Sequence, residues 1–279
     1  MNSESMKPGP IGVFDSGYGG LTILREIQKA LPDYDYLYLG DNARAPYGER
    51  SFDIVFDFTL QAVKELFSRG CNLVILACNT ASAKALRSIQ QQYLPLNHPL
   101  KRVLGVIIPT VEQLGSLTAS GHIGVLATPG TVNSHSYKIE TAKLYPDMSV
   151  TEQACPMWVP LVENGEADSE GADYFVKKYL DLILERDPNI DTLLLGCTHY
   201  PVMMEKIRKF TPRHIKTVPQ GEIVANSLKD YLRRHPEMDR ICSKTHSIEF
   251  ITSENPEKFN QLASLFLGKP TQAQRVTLG

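Results

Sequence analysis

Residues 74–82 read VILACNTAS and residues 193–201 read LLLGCTHYP. Each is an apolar run too short for a helix. Each ends in a cysteine followed by small polar residues. Such a run reads as a strand covered on both faces, with the polar residues at its C-terminal end. Upstream of each lies a second matching piece: IGVFDSGYGG at 11–20 and IGVLATPGTV at 123–132. The offsets are 112 (123 minus 11) and 119 (193 minus 74). Two echoes in the same order indicate one unit used twice.

Working outward, short apolar runs alternate with longer helical patterns. Strands are expected at Ile11–Phe14, Tyr34–Leu39, Leu73–Ala77, Val103–Ile108, Ile123–Leu126, Thr192–Leu195 and Ile215–Val218. Helices are expected at Leu21–Ala30, Phe52–Ser68, Ala81–Tyr93, Val111–Thr118, Val132–Leu144, Ala172–Glu185 and Val202–Phe210. Within Phe52–Ser68, Val55, Phe58, Ala62 and Leu66 fall on one helical face. Strand then helix, repeated, is the pattern of βαβ units. The expected fold class is therefore α/β: two similar, pseudo-symmetric domains with largely parallel sheets and the active site in the cleft between them. The stretch after about 216 holds a helix (Val224–Arg233), a strand (Ser247–Ile251) and a helix (Glu257–Phe266), too little for a third domain. It is expected to return to the first sheet. The domains are thus read as 1–102 plus 217–279, and 103–216. Fraying is expected over the first nine and the last several residues.

Length and composition agree. At 279 residues the chain is long enough for about two domains. Lys plus Arg number 29 and Asp plus Glu 31, a formal charge of −2, which argues against nucleic-acid binding driven by bulk charge. The five cysteines, Cys71, Cys78, Cys155, Cys197 and Cys242, are an odd number in a long chain and not a disulfide framework. No secretory h-region opens the sequence and no apolar run approaches membrane-spanning length. The expected compartment is a reducing cytoplasm.

Open parallel sheets bind ligands beyond the C-terminal ends of their strands. Those ends carry Asp15-Ser16-Gly17, Cys78-Asn79-Thr80 and Cys197-Thr198-His199. Duplication would set Cys78 and Cys197 on opposite walls of one cleft. Two opposed thiols suit moving a proton from one face of a carbon to the other. A free thiol has a pKa of about 8.5 and can serve as acid or base. Asp15 and His199 are the neighbours placed to manage the two protons. Ser16, Asn79, Thr80 and Thr198 offer hydrogen bonds to a small zwitterion. Thr80 and Thr198 are read as helix starts, where unpaired N–H groups favour a carboxylate. Gly17, Gly19 and Gly20 would let backbone approach a ligand. Tyr47 and Gly48, in the polar loop 41–48, could line the cleft. Taken singly, each residue has an ordinary structural explanation: a small core cysteine, a tight turn, a loop acid at Glu163. Cys71, Cys155 and Cys242 lack a polar motif and read as core or surface.

The motifs FDSGYGG (14–20), DNARAPYG (41–48), ACNTAS (77–82), ATPGTV (127–132), PLVENGE (160–166) and GCTHYP (196–201) stand in one order and spacing. Together they resemble the cofactor-independent glutamate racemases of the aspartate/glutamate racemase superfamily, over about residues 10–267. The resemblance implies interconversion of L- and D-glutamate by two cysteine acid/bases, here Cys78 and Cys197, with no pyridoxal phosphate, metal or nucleotide. It implies that Asp15 assists Cys78, that His199 assists Cys197, and that Glu163 is a third assisting acid. It implies substrate contacts at Asp15, Ser16, Tyr47, Gly48, Asn79, Thr80, Thr128, Thr131, Thr198 and His199. It further implies a homodimer, a small-molecule partner with no nucleic acid or membrane, and a role in supplying D-glutamate for peptidoglycan. One departure stands out. After the strand at 215–218 the family has an acidic or small polar turn, whereas this chain has Val218-Pro219-Gln220-Gly221-Glu222. No catalytic role is read there.

Other readings remain open on the residues alone. Aspartate or another acidic amino acid could be the substrate. A single cysteine could act as a covalent nucleophile in an isomerase or hydrolase, with Cys197 near His199. Two α/β domains around a cleft also describe an amino-acid-binding module. A zinc site at Cys78, Cys197 and His199 lacks the paired spacing of structural sites.

Overall fold

A computed structural model describes residues 6–279. It holds two sheets, each wholly parallel in its strand pairs. The strands are β1 (Ile11–Asp15), β2 (Tyr36–Gly40), β3 (Leu73–Leu76), β4 (Arg102–Gly105), β5 (His122–Ala127), β6 (Ser149–Ala154), β7 (Thr192–Gly196), β8 (Lys216–Pro219), β9 (Ile248–Thr252) and β10 (Ala273–Arg275). The first sheet runs β10-β9-β2-β1-β3-β4 and the second β6-β5-β7-β8. The order β2-β1-β3-β4 repeats as β6-β5-β7-β8. The two sequence echoes fall on equivalent central strands, β1 with β5 and β3 with β7.

These central strands are apolar because helices cover both faces. Every residue of β1, β3 and β7 is buried. In both sheets the chain changes direction between the two central strands, so a crevice opens beyond their C-terminal ends. Both echoed motifs end there.

The helices that position the site are α1 (Gly20–Ala30), α2 (Phe52–Ser68), α3 (Asn79–Lys84), α4 (Ile107–Leu117), α5 (Pro129–Ser134), α6 (Ser136–Leu144), α7 (Trp158–Glu163), α8 (Glu170–Arg186), α9 (Met204–Phe210), α10 (Gly221–Arg234) and α11 (Pro256–Leu267). After β8 the chain returns: α10 packs on α1. Strands β9 and β10 then extend the first sheet beside β2. Gly221 makes the α1–α10 approach possible, since a Cβ there would lie 2.8 Å from Glu26 Cγ.

Several expected boundaries move. The apolar run Val103–Ile108 is strand only to Gly105; Ile107 opens α4, because a buried helix start and a buried strand look alike in a short run. Strand β4 pairs with β3, so the first sheet extends past the expected cut at 102/103, and β8 carries the second sheet past 216/217. The helix expected at Val132–Leu144 is broken at His135, whose φ is 53°. The edge strand β6 was not expected at all: Ser-Val-Thr-Glu-Gln-Ala is polar and only Glu152 in it is buried. The expected fraying stops short of Gly9 and of Val276. Gly9 bridges to Cys242, and buried Val276 donates its N–H to Thr252 O at 2.8 Å. Residues 1–5 lie outside the described residues.

Candidate active site

The residues beyond β1, β3, β5 and β7 meet in one cavity between the lobes. Its lining includes Ser16, Tyr47, Gly48, Cys78, Asn79, Thr80, Thr128, Glu163, Cys197, Thr198 and His199. Cys78 comes from the first sheet and Cys197 from the second. Asp15 and Thr131 do not line the cavity; both are fully buried behind it.

On the Cys78 wall, the sulfur caps the first turn of α3. Sγ accepts from Ala81 N–H at 3.4 Å and lies 3.5 Å from Ser16 Oγ. Burial pushes the thiol up to about 12, and the nearby Asp15 carboxyl adds to the rise. Cys78 is therefore a protonated thiol at neutral pH. Burial also raises Asp15, with His199 and the Gly17 and Gly20 N–H groups opposing the rise. Asp15 accepts from Gly17 N–H at 2.9 Å and from the Thr198 hydroxyl at 3.4 Å, which links the two walls.

On the Cys197 wall, His199 Nδ1 lies 3.9 Å from Cys197 Sγ and Nε2 lies 2.9 Å from Glu163 Oε1. Burial alone would lower the imidazole. The hydrogen bonds to Cys197 and Glu163 outweigh it and push His199 up to about 10. His199 is thus an imidazolium at neutral pH, aimed at the sulfur.

Thr80, Thr128 and Thr131 form a hydroxyl cluster across the lobes, at 2.9 Å (Thr80–Thr128), 3.1 Å (Thr128–Thr131) and 3.4 Å (Thr80–Thr131). Gly48 O accepts from Gly130 N–H at 2.6 Å, so the 41–48 loop clasps the start of α5. That loop is pinned by buried Asp41, which takes hydrogen bonds from Tyr47 Oη, from Arg44 Nε at 2.7 Å and from Ser253 Oγ at 2.7 Å. Tyr47, whose hydroxyl is tied to Asp41, lines the cavity.

Three expectations need correction. Thr198 does not start an α-helix; it lies in a turn before a 3₁₀ segment at Tyr200–Met203, because Pro201 delays α9. Thr80 is the second residue of α3, after Asn79. Gly17, Gly19 and Gly20 do not line the cavity. They let the protein close on itself: a Cβ at Gly19 would lie 2.3 Å from Thr198 Oγ1 and 2.5 Å from His199 Nδ1.

Cys155, read as core or surface, lines the cavity, and burial raises its thiol well above the usual range. It follows β6 directly. The strand-end rule would have found it had the strand been recognised. Pro46, Pro129, Pro156, Val159 and Pro160 complete an apolar wall. Gln220 was passed over and is 2% exposed, hydrogen-bonded to Asn79. Among the described residues, no three His, Cys, Asp or Glu side chains are placed to hold a metal ion.

Residues 11–221 match a family model described as Asp/Glu/hydantoin racemase. A glutamate racemase of Roseobacter denitrificans is 41% identical over 267 residues, covering 92% of this chain and 96% of that protein. The crystal structure of a glutamate racemase isoform from Bacillus anthracis superposes with a TM-score of 0.88 at 34% identity, covering 98% of each chain. A glutamate racemase from Francisella tularensis, solved in complex with D-glutamate, gives 0.83 at 31% identity, covering 99% of this chain and 98% of that one. The class these matches define is an isomerase built on two α/β lobes. The chain belongs to the Asp/Glu/hydantoin racemase family.

Proposed function

We propose that this protein interconverts L- and D-glutamate by proton transfer between the α-carbon and two cysteines, with no cofactor. The observation that carries the reading is one cavity lined by strand-end thiols of both lobes, Cys78 from the first and Cys197, with Cys155, from the second. One sulfur takes the α-proton as thiolate and the other, as thiol, delivers a proton to the opposite face. The two walls differ in a way that suits this division. Cys78 rests as a thiol, ready to donate. Cys197 faces the His199 imidazolium, which Glu163 holds in place. When the reaction reverses, Ser16 and the Ala81 N–H are the donors that meet charge on Cys78.

Deprotonating an α-carbon without an electron sink needs a site that excludes water and presents fixed dipoles. The apolar wall of Pro46, Pro129, Pro156, Val159 and Pro160 suits the first demand. Asn79, Thr80 and Thr128 supply oriented donors for the carboxylates. The named relatives act on glutamate, and the Francisella enzyme is solved with D-glutamate, which supports glutamate over aspartate. Two domains divided by sheet membership, a homodimer, a cytoplasmic location and D-glutamate supply for peptidoglycan belong to the same reading. Among the described residues no helix is long and apolar enough to cross a membrane.

The test is proton NMR of L-glutamate in deuterated water with dialysed protein, followed by chiral analysis. Loss of the α-proton signal together with appearance of D-glutamate supports the reading. No exchange with glutamate overturns the substrate. Full activity in Cys78→Ser or Cys197→Ser overturns the two-base scheme.

A further inference from the structure

We propose that Gln220 is a positioning residue: it holds the Asn79 side chain in the one orientation that leaves an amide N–H free for the substrate. The inference rests on the reaction proposed above. Gln220 sits between β8 and α10.

Four side chains from three helices and one junction meet here: Asn79 at the start of α3, Thr110 on α4, Tyr137 on α6 and Gln220 between β8 and α10. They are 3%, 0%, 0% and 2% exposed, so each depends on the others for its hydrogen bonds, Asn79 alone also reaching the cavity. Their hydrogen bonds have only one consistent direction. Thr110 Oγ1 lies 2.7 Å from Val106 O, a carbonyl that can only accept, so the hydroxyl proton goes there. Thr110 Oγ1 must then accept from its other neighbour, and Gln220 Nε2 supplies that bond at 2.9 Å. The second proton of Nε2 goes to Tyr137 Oη at 2.7 Å. Tyr137 therefore gives its own proton to Asn79 Oδ1 at 2.6 Å. Gln220 Oε1, facing Asn79, accepts from Nδ2 at 2.7 Å. The ring closes, and the Asn79 amide cannot flip without leaving two buried groups unpaired.

Asn79 is left with one N–H on Nδ2, and Asn79 lines the cavity beside Cys78. Its carbonyl oxygen is fully committed to Tyr137. The side chain therefore presents a donor to the substrate, as a carboxylate requires. The residues that fix this first-lobe donor come from α4, α6 and the β8–α10 junction. The site is thus oriented from the second lobe and from the return of the chain.

The test measures kcat and KM for glutamate in both directions, with thermal melts to verify folding. Tyr137→Phe removes one hydroxyl and keeps the packing. Gln220→Met removes the whole hub at similar volume. Each is expected to raise KM about tenfold, the size of one net hydrogen bond, with kcat within about threefold of wild type. In an Asn79→Ala background, Gln220→Met should raise KM by less than about twofold more, because the effect runs through Asn79. KM unmoved in folded variants, or an effect that multiplies fully onto Asn79→Ala, overturns the proposal. A wild type that does not act on glutamate overturns the reaction reading and takes this inference with it. That result is distinct from an active wild type with unmoved variants.

Discussion

At the scale of single residues, the proposed chemistry turns on which groups face Cys78 and Cys197. Cys78→Ala and Cys197→Ala should each slow interconversion by a factor of about 10²–10⁴, the usual worth of a positioned acid or base; chiral chromatography of the product reads this. His199 carries the clearest pH signature. Its value is pushed up to about 10 by partners that burial opposes. Glu163→Gln removes one of those partners and moves His199 back toward its ordinary value. The alkaline limb of kcat/KM should then shift to lower pH, with activity at neutral pH down about tenfold. The sign for stability follows as well. A group raised in the folded state contributes fully below its unfolded value of about 6.5 and loses that contribution as pH rises through about 10. Melts between these pH values should show wild type losing more stability than Glu163→Gln.

At the scale of elements, a half-buried carboxylate ties a loop to the start of β7. Asp191, just before β7, accepts from Ala119 N–H and Ser120 N–H, both at 2.7 Å, and from the Thr118 hydroxyl at 2.6 Å. Burial would raise it, but these bonds win and hold it far below the usual carboxylate range. A depressed group contributes stability above its unfolded value of about 3.9 and loses it as pH falls. Asp191→Asn should cost about 2 kcal/mol at pH 7, with the gap closing below pH 4, read by urea titration. Gly19 acts at the same scale. Gly19→Ala would drive a methyl into Thr198 and His199, and activity should fall more than tenfold as the α1 start and the His199 turn move apart. The elements also show why some boundaries were legible and others not. Strands β1, β3 and β7 are buried on both faces and announce themselves as apolar runs. Strand β6 is a sheet edge with a half-exposed polar surface, so neither an apolar run nor clean alternation marks it. Cys155 was overlooked with it.

At the scale of the whole molecule, the site exists only where the lobes meet. Thr22 Oγ1 donates to Thr198 O at 3.0 Å, Gly130 N–H donates to Gly48 O at 2.6 Å, and the threonine cluster spans the same gap. A ligand that fills the cavity binds both lobes and only in the folded state. Glutamate at about a hundredfold its Kd should therefore add about 2.7 kcal/mol of stability, or about 5–10 °C in Tm, by scanning calorimetry. An unchanged Tm would count against a cavity that takes glutamate.

The duplicated α/β pattern, the parallel strands and the pairing of Cys78 with Cys197 were legible in the sequence, because strand burial and strand-end chemistry are local and repeat. The donor direction at Asn79, the role of Gln220 and the closeness of Gly19 to His199 were decided only by tertiary structure. Each depends on side chains far apart in sequence that burial brings together away from water, where every polar group must find a partner and the partners dictate its orientation.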